Sequence, residues 1–325
     1  MPLLEVEGLK THFFGKGSVT KAVDGVSFTL DHGEILGIVG ESGSGKSVTS
    51  LSIMRLVDHP GRVVGGSVRF EGRDLLTLSR DEMRKLRGRR MSMIFQEPGT
   101  SMNPVLTVGF QIGEAIRSHE RVAPAEVQRR TMELMDMVGI PDPKQRMHQY
   151  PHQFSGGMLQ RLMIAMGLAL SPSLLIADEP VTALDVTIQA QILDLLKELR
   201  DDTDAAVLLI THDMGVVAET CDRVVVMYLG AIVEEAPVES LFDDPKHPYT
   251  QGLLGSIPSV EERVEWLQAI PGTIPNAHEI PTGCRFSNRC PKVMDVCHTV
   301  DPVLREVAPG HRTACHLYDD EVPHG

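Results

Sequence analysis

The sequence predicts an α/β fold with a helical insertion and a C-terminal extension of different character. Three observations carry that expectation. Short apolar runs with the length of buried strands, residues 34–40, 174–177 and 206–210, recur along the chain with helical patterns between them. A Gly-rich turn leads from the first of these runs straight into a helical segment at 47–57. Beyond residue 235 prolines recur at 237, 245, 248, 258, 271, 275, 281 and 291, and long periodic segments become scarce.

In chain order, residues 4–7 and 26–30 alternate like strands. Residues 97–154 differ: Met102 and Pro104 precede a helix-like stretch at 108–118 and a charged one at 125–138, which predicts a helical subdomain over about 97–170. Ile188, Ile192, Leu195, Leu196 and Leu199 share one face of a helix over 188–199. Residues 224–228 and 231–235 predict a hairpin around Leu229-Gly230. The division expected is a domain at 1–235 and a second at 236–325.

The chain has 325 residues, a formal net charge of −13, 42% hydrophobic and 23% charged residues. That is the composition of a folded globular protein, and the acid excess argues against a surface that tracks nucleic-acid phosphates. The basic run Arg84, Lys85, Arg87, Arg89, Arg90 reads as a solvated helix face. No run approaches the ~20 apolar residues of a membrane span, and the acidic start lacks the basic, apolar signature of a secretory leader. A cytosolic protein is expected, with membrane association only through partners.

Five motifs carry chemistry. Gly40-Glu41-Ser42-Gly43-Ser44-Gly45-Lys46-Ser47 fits G-x-x-x-x-G-K-[ST], with Val48 continuing the helix. Its glycines let backbone N–H groups turn inward onto phosphate oxygens, Lys46 reaches the β- and γ-phosphates, and Ser47 ligates Mg²⁺. Asp178-Glu179 ends the apolar strand at 174–177: Asp178 suits the Mg²⁺ shell, and Glu179 suits orienting or deprotonating a water. His212 and Gln96 each follow an apolar piece, where they can meet a γ-phosphate, and Gln96 can also touch Mg²⁺. Ser155-Gly156-Gly157 opens a long helix, a second anion-binding helix start in one chain. One phosphate loop already serves one nucleotide, so this turn suits the nucleotide of another subunit.

Taken together, the phosphate loop, Gln96, Ser155-Gly156-Gly157, Asp178-Glu179, Ala183-Leu184-Asp185 and His212 stand in the order that defines ATP-binding cassettes, and residues 3–235 resemble that family. The resemblance implies a P-loop NTPase fold, ATP and Mg²⁺ as ligands, and a head-to-tail pair in which each phosphate loop is closed by the partner's Ser-Gly-Gly turn. It further implies that Asp185 bridges the two sites, beside its simpler role as a helix N-cap, and that Phe13 or Phe14 stacks on adenine. Leu159 departs from the basic or polar residue many members carry there. Soluble cassette ATPases of DNA repair or translation are the competing class, but they carry two cassettes or a long coiled coil.

The tail resembles oligopeptide/dipeptide import ATPases through His247-Pro248-Tyr249-Thr250, Gly252-Leu253-Leu254, Ile257-Pro258, Pro271-Gly272 and the run from Gly283 to Pro291. Importers of nickel and other small solutes share it. The resemblance implies a paralogous second cassette, two transmembrane permease subunits and an extracytoplasmic binding protein, with this chain on the cytoplasmic membrane face. Four of the five cysteines, Cys284, Cys290, Cys297 and Cys315, fall in the last 42 residues. This Cys-rich extension is expected to hold a [4Fe–4S] cluster, with a four-cysteine zinc site or unligated thiols as the alternatives. Cys221 reads as a buried structural thiol.

Overall fold

The computed structural model describes residues 1–182, 184–256, 270–275 and 279–319. Its elements run in order: β1 (Leu4–Phe14), β2 (Val19–Leu30), β3 (Ile35–Val39), α1 (Lys46–Ile53), β4 (Gly61–Phe70), β5 (Arg73–Asp74), α2 (Arg80–Leu86), β6 (Met91–Ile94), α3 (Pro98–Ser101), α4 (Val108–Arg117), α5 (Pro124–Met137) and α6 (Pro143–Arg146). There follow α7 (Gly156–Leu168), β7 (Leu174–Asp178), α8 (Val186–Thr203), β8 (Ala206–Ile210), α9 (Met214–Thr220), β9 (Arg223–Tyr228), β10 (Ala231–Pro237), α10 (Val238–Asp243), α11 (Pro248–Gly255), β11 (Arg305–Ala308) and β12 (His311–Thr313).

The chain divides into two compact units. One comprises Leu4–Thr29, Leu36–Leu76 and Thr211–Gly325. Here β3 pairs in parallel with β9, Leu36 opposite Arg223 and Val39 opposite Val226. The hairpin β9–β10 turns at Leu229-Gly230, and β12 and β11 extend it antiparallel. A second sheet runs β2-β1-β4-β5. β1 is far longer than its alternating residues 4–7, because it pairs with β4 from Leu4–Phe70 to Phe13–Gly61. β4 carries paired glycines in place of a clean alternation, so its partnership is invisible locally. Helix α1 stops at Ile53, short of 57, where Arg55 adopts a left-handed φ of 53°.

The other unit comprises Met1–Leu3, Leu30–Ile35 and Thr77–Ile210. Strands β6, β7 and β8 pair in parallel and are buried throughout, as continuous apolar runs require. Helices α4, α5 and α7 pack on one another. Thr107 caps α4, Pro124 opens α5, and Ser79 and Glu82 form a capping box on α2. Buried Gln111 ties down the loop before α4, accepting from Asn103 N and donating to the carbonyls of Asn103 and Leu106. Among the described residues no helix is long and apolar enough to cross a membrane.

Candidate functional site

The phosphate loop hangs between buried β3 and α1. Its backbone admits no side chain at two positions. Gly40 has a φ of 149°, and a Cβ there would lie 2.2 Å from the Met227 carbonyl oxygen. Gly45 has a φ of 101°, and a Cβ would lie 2.3 Å from the Ala22 carbonyl oxygen. Ser44 N donates to the Glu41 carbonyl at 3.2 Å, and Gly230 N donates to the Ser44 carbonyl at 2.9 Å. Lys46 is buried, and its Nζ donates to the carbonyls of Gly40 at 2.7 Å and Glu41 at 3.1 Å. Ser42 and Gly43 are exposed at the loop's crest, while Ser47 and Val48 are half-buried on the first turn of α1. A cradle that Cβ atoms would fill, an ammonium inside it and a hydroxyl at the helix start fit the phosphates of Mg-ATP.

In the same unit His212 is exposed just past β8, and its neighbour Asp213 caps α9 by accepting from Gly215 N at 2.8 Å. Phe14 is 36% exposed with the Arg62 guanidinium 4.2 Å over its ring, whereas Phe13 is half-buried and abuts Gly61.

The second unit gathers the acids. Asp178 closes β7 with 4% exposure, and Glu179 follows with a left-handed φ of 49°. Its N–H donates to the Ile210 carbonyl at 2.8 Å, which holds this turn against the end of β8. The Glu179 carboxylate accepts at one oxygen, Oε2, from Gln96 Nε2 and from Thr182 Oγ1, each at 3.0 Å. Gln96, Thr182 and Glu179 are thus brought together on one carboxylate oxygen. Thr182 was not legible beforehand; its only signal was a hydroxyl three residues past the acid.

Ser155 is exposed and caps α7, its hydroxyl accepting from Met158 N at 3.4 Å. A Cβ on Gly156 would meet nothing within 4 Å, while one on Gly157 would contact Leu184 at 3.4 Å. Leu159 is half-buried on the same helix. Asp185 caps α8, accepting from Ile188 N at 3.0 Å, and Val186 beside it is 82% exposed. Ala183 of that motif and Ile257-Pro258 of the tail lie outside the described residues.

The expected metal cluster on Cys284, Cys290, Cys297 and Cys315 is corrected. Among the described residues no three His, Cys, Asp or Glu side chains are arranged to hold a metal ion, which removes the [4Fe–4S] and zinc expectations alike. The four thiols lie close enough for charge on one to disfavour charge on Cys315, yet burial dominates. It pushes the Cys284 thiol up to about 11 and Cys315 to about 12, and raises Cys290 as well. Cys221 is buried against Gly37 with its thiol pushed far up, the inert thiol expected.

Residues 23–182 match the ABC transporter family and residues 233–297 match the C-terminal region of oligopeptide/dipeptide transporters. A probable peptide ABC transporter ATP-binding protein from Sinorhizobium fredii is 56% identical over 98% of this chain and 96% of its own length. The chain belongs to the ATP-binding proteins of ABC transporters. The oligopeptide transport ATP-binding protein AppD of Bacillus subtilis is 52% identical, covering 98% of each chain. The dipeptide transport ATP-binding protein DppD of Escherichia coli is 49% identical over 99% of this cassette and 98% of its own length. Among solved structures, the dimeric ATP-binding cassette MJ0796 bound to ADP and Pi superposes with a TM-score of 0.67 at 26% identity, covering 72% of this chain and 98% of that one. The fold is therefore the α/β ABC ATPase cassette, its ligands are ATP and Mg²⁺, and the chain is an ATPase.

Proposed function

We propose that this chain is the ATP-hydrolysing subunit of a peptide importer, working on the cytoplasmic face of the membrane. The observation that carries the reading is the phosphate loop built around buried Lys46 in a chain that matches peptide-transport ATP-binding relatives over 98% of its length. The substrate class is taken from those relatives. Residues 1–235 act as the nucleotide-binding domain, with about 97–170 as its helical subdomain, and 236–325 as the transporter-specific domain.

Loop N–H groups and Lys46 bind the phosphates; Ser47 and Gln96 ligate Mg²⁺, with Asp178 acting on its shell through water. Glu179 takes a proton from the attacking water or orients it. Its Oε2 accepts from Gln96 and Thr182, which orients the carboxylate. His212 contacts the γ-phosphate, and Phe14, the more exposed aromatic, stacks on adenine. Ser155, Gly156 and Gly157 close on the nucleotide of a second cassette, a paralogue, and Asp185 lies at the same junction. One phosphate loop and one signature per chain support this pairing. Two permease subunits and an extracytoplasmic binding protein complete the transporter.

The test is Glu179→Gln in the assembled transporter. ATP binding should persist while turnover falls by about 10² to 10⁴, the usual range for a lost general base. Unchanged ATPase activity would reject the role. Ser155→Arg should spare nucleotide binding at this chain's own loop and impair hydrolysis at the partner's; loss confined to its own loop would contradict the pairing.

A further inference from the structure

The C-terminal extension reaches the phosphate loop through a buried guanidinium. Arg289 lies 248 residues from Glu41, yet its Nη1 donates to Glu41 Oε2 at 2.7 Å and its Nη2 to Glu41 Oε1 at 3.1 Å. The Arg289 side chain is 4% exposed. Its other N–H groups are also used: Nε donates to the Pro271 carbonyl at 3.1 Å, and Nη1 reaches the Tyr228 hydroxyl at 3.4 Å. Tyr228 and Phe286 flank the guanidinium, each ring centroid 5.9 Å from its carbon.

Glu41 is held at two further points. Its backbone N–H donates to the hydroxyl of buried Tyr249 at 2.8 Å, and its carbonyl accepts from Lys46 Nζ at 3.1 Å. A neighbouring tail residue braces the next layer. Arg285 donates to the Leu229 carbonyl and, at 3.0 Å, to Asp24 Oδ2, and the adjoining Gly230 N–H holds the Ser44 carbonyl of the loop. The extension and the phosphate loop belong to one compact unit.

Attachment alone does not call for such a pair. Burying an ion pair returns little net stability against well-packed apolar residues. What a two-pronged guanidinium–carboxylate contact supplies is orientation. Its target is a loop whose function depends on where its N–H groups point. We propose that Arg289, with Tyr249, is a positioning residue for ATP binding: the C-terminal extension clamps Glu41 and so holds the phosphate loop in its binding shape. This rests on the assignment of residues 40–47 as the nucleotide loop.

The experiment titrates Mg-ADP into the full chain by calorimetry, alongside ligand-free melting. Arg289→Gln and Glu41→Gln should each weaken binding about tenfold, with the double variant no weaker than either alone, because residues in direct contact are strongly coupled. Arg289→Lys should fall between, keeping the charge but losing the fork. Tyr249→Phe removes one hydroxyl and should cost about threefold, a typical neutral hydrogen bond; it decides the matter if Arg289→Gln does not fold. Arg312→Gln, which breaks a pair with Glu235 in the same extension, should lower melting and leave Mg-ADP affinity unchanged. Wild-type affinity in Arg289→Gln would overturn the clamp, as would additive effects in the double variant or an equal loss of affinity in Arg312→Gln. Lys46→Ala separates the two claims: if it alone abolishes binding the clamp fails, and if it too binds normally the nucleotide loop is misassigned.

Discussion

Replacing His247 by Asn should flatten the acid sensitivity of this protein. His247 is 1% exposed and caps α11, its Nδ1 accepting from Tyr249 N at 3.0 Å. Burial pushes the imidazole from its ordinary 6.5 down to about 3. Protonating Nδ1 would also abolish the cap and place a cation at a helix N-terminus. The folded value lies below the unfolded one, so between them the unfolded chain binds more protons. The contribution is therefore fully present above pH 6.5 and is lost as pH falls toward 3. Each pH unit well inside that window removes about 1.4 kcal/mol, and the change from pH 7 to pH 5 integrates to about 2 kcal/mol. Asn keeps an N-cap acceptor and cannot ionise. Urea unfolding of both proteins at pH 7 and pH 5 should show the wild type losing about 2 kcal/mol more than His247→Asn. Parallel losses in the two would refute the argument.

Other perturbations give sharper local outcomes. Gly45→Ala combines a left-handed backbone with a Cβ 2.3 Å from the Ala22 carbonyl, so Mg-ATP binding should fall by at least about tenfold on a strain of ~1–3 kcal/mol, measured by calorimetry. Asp185→Ala removes the α8 cap and should cost about 1 kcal/mol in chemical denaturation, while Asp185→Asn should cost less than half of that. Gln111→Leu strips three hydrogen bonds from the loop ahead of α4 and leaves backbone groups unpaired, so it should destabilise by about 2–4 kcal/mol and speed amide exchange over residues 101–107.

Parts whose chemistry is local were legible in the amino-acid order. A phosphate loop is a contiguous backbone shape, so Gly40 to Ser47 announced it in eight letters. Strands β3, β7 and β8 are buried on both faces, so their apolar runs located them almost to the residue. The caps at Ser155 and Asp185 were readable because a cap and its helix adjoin. Features that need distant residues to meet emerge only in the folded chain. The β1–β4 ladder, the convergence of Gln96 and Thr182 on one oxygen of Glu179, and the grip of Arg289 and Tyr249 on Glu41 leave no periodic trace. The cysteines mark the same divide from the other side. Their number and clustering suggested ligands, but a ligand set is made by geometry, and among the described residues no three such side chains are arranged around a common point.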